Sequence, residues 1–127
     1  MVEPLKLQVM GETMAICRLE ATSPLPDWAC GDEFYSITRS SEELSIICPA
    51  AVIPTGIKAE SGWRAIKVVG PLDFSLTGVL SSLLEPLAAA NISILSLSTY
   101  DTDYVFVRAD ALQQTLQLLQ AAGHQII

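Results

Sequence analysis

The sequence predicts an α+β fold in which two helices cover one face of an antiparallel sheet, with an abbreviated version of the same unit in the first half. In the second half of the chain, some segments have an apolar residue at every second position, as strands do, and others have one at every third or fourth position, as helices do. Residues 34–48 can be laid over residues 94–108 without a gap, at an offset of 60. Half of the 127 residues are hydrophobic, which is enough for a buried core.

The second half begins with a strand and a helix. Residues 64–69 alternate as a strand does, and the apolar residues of 76–87 then recur at i, i+3, i+4, i+7, i+8 and i+11. Asp73 or Ser75 is expected to cap the start of this helix through its side-chain oxygen. Asn91 is expected to end the helix in a left-handed conformation.

A hairpin and a second helix follow. Residues 92–98 and 104–108 predict two strands joined by a polar turn. Asp110 is expected to cap the next helix, Gly123 to end it, and residues 124–127 to form a short last strand. The resulting order is strand, helix, strand, strand, helix, strand, for which helices on one face of an antiparallel sheet are the economical packing.

The first half predicts a shorter version of this order. Residues 14–19 read as a strand, and the Pro-containing stretch 21–31 allows no more than one helical turn. Residues 33–38 and 44–48 predict a hairpin, and residues 49–53 a second short helix.

The joint between the two halves is expected near Ser61 and Gly62, where no Gly/Ser-rich or Pro-rich linker occurs. The predicted modules are therefore an abbreviated one at residues 1–61 and a more complete one at residues 62–127.

Charge and composition exclude several classes of partner. Fourteen acidic and seven basic residues give a net charge of −7, which disfavours nucleic acid and anionic membrane as partners. No signal peptide is visible, and no apolar run approaches the roughly 20 residues that span a bilayer. Cys17, Cys30 and Cys48 are odd in number and lack paired spacing, so reduced buried thiols in a cytoplasmic protein are expected.

The residue inventory disfavours catalysis. The single histidine, His124, is remote in sequence from every cysteine and is expected at a surface or sheet edge, so neither a Ser/His/Asp set nor a metal cluster can be assembled around it. Neither GxGxxG nor GxxxxGK is present. We therefore expect no catalytic residue, no metal and no cofactor.

The segment 70–78, with the sequence GPLDFSLTG, is the first candidate binding feature. It joins a strand to a helix start, where free N–H groups and the positive end of the helix dipole can receive an anion such as a carboxylate. Gly78 either opens access to this backbone or lets the helix pack closely on the sheet, and the residues alone leave both interpretations open.

The segment 98–103, with the sequence STYDTD, is the second candidate binding feature. It is either a solvated polar turn or a site at which Asp101 or Asp103 pairs with an ammonium or basic side chain. Helix-start donors on one side and carboxylates on the other would suit a zwitterion.

These two motifs, together with 34–39 (FYSITR), 43–45 (ELS) and Gly62-Trp63, resemble the ACT-domain group of small bacterial proteins. That group is similar to the ACT modules of aspartate kinases and of cytosolic arginine sensors. The resemblance implies tandem ferredoxin-like (βαββαβ) modules, antiparallel sheets with helices on one face, and a ligand bound between modules, often across a homodimer interface.

The resemblance also implies a ligand and a set of site residues. The ligand would be an amino acid or similar small zwitterion, and the regulated partner would be a separate protein, because no catalytic domain is visible. The alternative is a structural or protein-interaction module without a small ligand, which the high hydrophobic content and short length favour. The implied ligand-binding residues are Asp73, Phe74, Ser75, Leu76, Thr77, Gly78, Ser98, Thr99, Asp101 and Asp103.

Overall fold

The computed structural model describes residues 4–32, 34–73 and 77–127. Its strands and α-helices, in chain order, are β1 (Lys6–Leu19), β2 (Ser36–Arg39), β3 (Leu44–Pro49), β4 (Lys58–Val68), α1 (Val79–Ala89), β5 (Ile94–Ser98), β6 (Asp103–Arg108), α2 (Leu112–Ala121) and β7 (Gln125–Ile126). Short 3-10 turns lie at Asp27–Ala29, Ala50–Val52 and Ala109–Ala111.

The chain divides into two compact units. Unit 1 comprises the residues up to Gly11 and Arg64–Ile127, and unit 2 comprises Glu12–Trp63. The long strands β1 and β4 each contribute residues to both units. Residues up to Gly11 thus group with the second half of the chain, although the sequence placed them in a module ending at residue 61. That the two halves are repeated modules stays a prediction.

Unit 1 carries the predicted order of elements and confirms the fold class. Its strands lie in the order β7-β1-β4-β6-β5, and α1 and α2 pack on one face. Alternate residues of β1, β4 and β6 point towards the helices, as a half-covered sheet requires. The buried core contains Leu7, Ile66, Val68, Leu83, Leu87, Val105, Val107 and Leu119.

The last strand differs from a wholly antiparallel arrangement. β7 pairs with β1 in parallel, with Lys6 opposite Gln125 and Leu7 opposite Ile126. Because the N-terminal strand β1 lies next to β4 in unit 1, it takes the position beside β4 that a self-contained module would give to its own last strand. The backbone N–H of Gln125 donates to the carbonyl of Leu5 at 2.8 Å, which continues this pairing.

The prediction that Asp73 caps the start of α1 was wrong, and the predicted end of α1 at Asn91 was confirmed. The N-cap residue is Gly78, with φ 77° and no side-chain cap, so Asp73 does not cap this helix. Ser75 lies outside the described residues. Asn91 adopts φ 58° just past the helix, and the N–H of Ile92 donates back to the carbonyl of Leu87 at 3.0 Å.

For α2, too, the predicted cap was wrong and the predicted end was confirmed. Asp110 lies inside the 3-10 turn that leaves β6, so the N-cap is Ala111 and no side chain caps α2. Gly123 ends α2 as predicted, with φ 101°. The N–H of His124 donates to the carbonyl of Leu119 at 3.1 Å, in the manner of a helix-ending glycine motif.

Unit 2 is built around the antiparallel pairs of β3 with β1 and with β2. The broken stretch 21–31 and the segment 49–53 form only 3-10 turns, at Asp27–Ala29 and Ala50–Val52, so the abbreviated helices are single turns. The buried core of this unit consists of Cys17, Ala29, Leu44, Ile46 and Cys48.

The strand pairing of the two hairpins matches them at an offset one residue shorter than the gapless offset of 60. The pair that closes the turn is Arg39–Leu44 in unit 2 and Ser98–Asp103 in unit 1, one residue away from the offset of 60. Because successive strand residues point to opposite faces, this single residue decides which side chains correspond. At the corrected offset, the buried residues Ile46 and Cys48 match the buried residues Val105 and Val107.

Two of the three thiols are buried. Burial raises the pKa of Cys17, and it raises the pKa of Cys48 to about 12, with a further contribution from the adjacent Cys17. Cys30 is exposed, so the expectation of buried thiols was wrong for this residue.

His124 is buried at 7% exposure instead of lying at the surface. Its Nδ1 accepts a hydrogen bond from the backbone N–H of Leu5 at 3.1 Å, across 119 positions of sequence. The imidazole therefore joins the segment after α2 to the segment before β1.

In the described residues, no helix is long and apolar enough to cross a membrane.

Replacing His124 by Phe is expected to lower the free energy of unfolding by about 1–2 kcal/mol, because the half-buried N–H of Leu5 loses its acceptor. Urea unfolding followed by circular dichroism measures the change. The control Gln125→Ala alters an exposed side chain of β7 and should stay within about 0.5 kcal/mol. Equal stability of His124→Phe and the wild type would show that the bond contributes nothing.

In the native chain, a thiol-specific reagent at pH 8 is expected to label Cys30 rapidly and the other two thiols only after unfolding. The thiolate is the reactive species, and the raised pKa values keep Cys17 and Cys48 protonated at this pH. Mass spectrometry counts the labels, and Cys30→Ser should abolish the rapid phase. Rapid labelling of Cys48 in folded protein would contradict the burial.

Candidate functional site

The site is built where the chain leaves β4 and runs towards α1. After the cis peptide Gly70-Pro71, the N–H of Leu72 donates to the carbonyl of Asp101 at 2.7 Å. A Cβ on Gly70 would lie 2.9 Å from the same carbonyl oxygen and 3.3 Å from the Cβ of Thr102. Glycine is therefore required here by the close approach of two backbone segments.

The hairpin tip between β5 and β6 is held by two threonines. The N–H of Thr99 donates to the carbonyl of Thr102 at 2.8 Å, and the N–H of Thr102 donates to Thr99 Oγ1 at 3.2 Å. Thr102 is 5% exposed, and its hydroxyl donates to the carbonyl of Val68 at 2.5 Å. Thr102 thus fastens the tip to the end of β4.

The loop and the tip enclose a cleft of about 190 Å³ on the helix face of unit 1, which we name the acidic cleft. Its lining residues are Leu72, Asp73, Val79, Ser98, Thr99, Tyr100, Asp101, Thr102 and Asp103. The two segments singled out in the sequence therefore meet in space.

The structure brings together five of the ten candidate residues: Asp73, Ser98, Thr99, Asp101 and Asp103. Thr77 and Gly78 are exposed and precede α1 without lining the cleft. Phe74, Ser75 and Leu76 lie outside the described residues. Gly78 serves the helix start through its positive φ, a role that neither sequence interpretation named.

Sequence reasoning missed Gly70 and Thr102 as the residues that shape the site. Gly70 could have been recognised in the sequence, because a glycine followed by a proline indicates a turn. Thr102 had none, because nothing in the sequence separates its hydroxyl from the other hydroxyls of the turn. Leu72 and Val79 add an apolar wall that the polar motifs did not indicate.

The charges of the cleft have one sign. Among the described residues, three carboxylates line it, from Asp73, Asp101 and Asp103, and no Lys, Arg or His does. Asp103 Oδ1 accepts a hydrogen bond from Ser98 Oγ at 2.5 Å, which fixes the orientation of this carboxylate. Among the described residues, no group of three or more His, Cys, Asp or Glu is placed to hold a metal ion.

The start of α1 supplies the opposite polarity. Val79 is the first helical residue and lines the cleft, so the start of α1, with the positive end of its dipole, borders the same cleft as the carboxylates. Such an arrangement can bind an ammonium or guanidinium at the aspartates and a carboxylate at the helix start.

Comparison with known proteins gives two family matches. Residues 58–121 match the family model described as the ACT domain, and residues 12–56 match a model described as an N-terminal domain. The human protein named cytosolic arginine sensor for mTORC1 subunit 1 is 36% identical over 59 residues, which are 46% of this chain and 18% of the sensor. The chain therefore aligns with less than a fifth of that relative's length.

Solved structures match more of the chain. Protein Atu0741 from Agobacterium tumefaciens is 38% identical, with a TM-score of 0.93 and coverage of 99% of this chain and 94% of that one. The aspartate kinase of Clostridium acetobutylicum is 12% identical, with a TM-score of 0.67 over 91% of this chain and 34% of that one. The second match shows a shared fold.

Replacing Thr102 by Val is expected to lower the free energy of unfolding by about 1–2 kcal/mol, because the buried carbonyl of Val68 loses its donor. The control Thr38→Val makes the same change at an exposed position of β2 and should shift stability by less than about 0.5 kcal/mol. Urea unfolding of both variants makes the comparison. If the two variants lose equal stability, Thr102 does not fasten the tip.

Proposed function

The chain belongs to the ACT-domain family, and we propose that it is a regulatory module that binds an amino acid in the acidic cleft and acts on a separate partner protein. The observation that carries this proposal is the meeting of the α1 start with the hairpin tip around one cleft. A zwitterion needs an anion site and a cation site a few ångströms apart, and these two segments offer both.

The charge of the lining favours a basic amino acid. Asp73, Asp101 and Asp103 exceed the single carboxylate that an α-ammonium group needs, so a second cationic group on the ligand's side chain would also find a partner. The side chain of an acidic amino acid would meet carboxylates of the same charge. The relatives named as arginine sensors support a ligand of this class.

The roles within the cleft follow from the elements. We assign the ligand's carboxylate to the segment before and at the start of α1, and its ammonium or side-chain cation to the hairpin tip. The proposed ligand-binding residues are Asp73, Phe74, Ser75, Leu76, Thr77, Gly78, Ser98, Thr99, Asp101 and Asp103.

Further parts of the proposal concern the whole protein. We propose tandem ACT modules, a homodimer, a cytoplasmic location and no catalytic activity of the chain's own. The relative named as a cytosolic arginine sensor supports a regulatory role. The only histidine in the sequence, His124, accepts a hydrogen bond from Leu5 through its Nδ1, and this structural role supports the proposal that the chain has no catalytic activity.

A protein-interaction module without a small ligand is the second candidate. Tyr100 is 80% exposed at the mouth of the cleft, and a large aromatic side chain in this position is typical of contact surfaces. Under this function the cleft would be a docking surface for protein.

Thermal unfolding in the presence of each standard amino acid at 10 mM tests the proposal. Arginine or lysine is expected to raise the melting temperature by several degrees, because a ligand that binds only the folded state stabilises it. Asp103→Asn should weaken binding of the best ligand by about 10- to 100-fold in calorimetry, through loss of a charge-assisted hydrogen bond. The asparagine keeps an oxygen that can still accept from Ser98.

The matched control is Asp110→Asn, which removes the same charge from an exposed turn outside the cleft. It should leave the affinity within about twofold. A flat panel, or equal affinities of Asp103→Asn and wild type, would refute amino-acid binding in the acidic cleft. A flat panel combined with capture of a stoichiometric protein partner would favour the second candidate.

A further inference from the structure

We propose that unit 1 holds a second binding site, on the face of the sheet opposite the helices, that takes a small monocarboxylate. The site is a cleft of about 370 Å³, which we name the lysine cleft after Lys67. It goes beyond the proposed amino-acid site, because it lies on the other face of the sheet and has a different lining charge.

The alternation of three neighbouring strands places the polar side chains of this cleft. In β1, β4 and β6, the core residues Leu7, Ile66, Val68 and Val105 point towards the helices. Their neighbours in sequence, Gln8, Lys67 and Tyr104, therefore point to the opposite face. The strand order β1-β4-β6 puts these three side chains side by side, and all three line the lysine cleft.

The end of the sheet closes the cleft. Its other lining residues come from the turn after β4 and from the hairpin tip: Val69, Gly70, Pro71, Thr99, Asp101 and Thr102. The same contacts that shape the acidic cleft hold this wall, since Leu72 is bonded to Asp101 and Thr102 to Val68. These two hydrogen bonds therefore hold the walls of the cleft in place without a ligand.

Lys67 is the charge that this cleft offers. Within residues 4–32, 34–73 and 77–127, its ammonium group has neither a hydrogen-bond acceptor nor a carboxylate partner, although the chain has twice as many acids as bases. The Lys67 side chain is half-buried and lines the cleft. A lysine that lines a cleft and has no protein partner can receive an anion from solution.

The lining identifies the class of anion. Lys67 supplies one positive charge, and the amide of Gln8 and the hydroxyl of Tyr104 are neutral groups that can donate hydrogen bonds. Because Asp101 also lines the cleft, one cation with neutral donors suits at most the single charge of a carboxylate. A phosphate dianion would carry an excess negative charge close to Asp101, with no second cation in the lining.

Nuclear magnetic resonance titration of the ¹⁵N-labelled full chain with sodium pyruvate and sodium lactate, at constant ionic strength, tests this site. Saturable shifts of the backbone amides of Gln8, Lys67 and Tyr104 are expected for at least one of the two probes. Lys67→Met should weaken the affinity at least about tenfold, because it keeps the length of the side chain and removes the charge. Lys67→Gln should do the same if the methionine variant is poorly folded.

The matched control is Lys58→Met, which removes the same charge from an exposed position of β4 in unit 2, and it should bind like wild type. Asp103→Asn should also bind like wild type, which separates this site from the acidic cleft. The absence of saturable shifts up to 50 mM, or equal affinities of Lys67→Met and wild type, would overturn the proposal. Tighter binding of inorganic phosphate than of either carboxylate would overturn the assigned ligand class.

Discussion

The two clefts of unit 1 depend on the hydrogen bonds that hold the hairpin tip against the turn that follows β4. Two hydrogen bonds form this junction: Leu72 donates to the carbonyl of Asp101, and the buried hydroxyl of Thr102 donates to the carbonyl of Val68. Gly70 lets the two backbones approach this closely. Without this junction the carboxylates of the tip would be held in no fixed relation to α1.

The junction also divides the space around it. On the helix face, it leaves a cleft whose charged side chains are all acidic and whose wall includes the start of α1. On the opposite face, it leaves a cleft whose described lining residues include one cation, Lys67, and one acid, Asp101. One set of backbone contacts therefore supports two clefts with different charged linings, and a change at the junction would affect both, whereas a change of Asp103 or Lys67 would affect one.

A second long-range connection holds unit 1 together. β1 lies between β7 and β4, and the imidazole of His124 accepts a hydrogen bond from Leu5 just before β1 begins. Leu7 then enters the same core as the leucines of α1 and α2. Residues 4–11 are thus part of the unit that contains both clefts, and Gln8 lines the lysine cleft because β1 lies next to β4.

The sequence by itself determined the class of fold, the order of elements in the second half, both hairpins, the helix ends at Asn91 and Gly123, and the two segments that form the acidic cleft. These are local properties, since apolar spacing and turn chemistry act within a few residues. The predicted caps Asp73 and Asp110 failed because backbone geometry at Gly78 and the 3-10 turn after β6 decided those helix starts instead. Only the tertiary structure decided the pairing of β7 with β1, the burial of His124, the role of Thr102 and the placing of Lys67 beside Gln8 and Tyr104. Each of these rests on contacts between residues 34 to 119 positions apart, which no local pattern encodes.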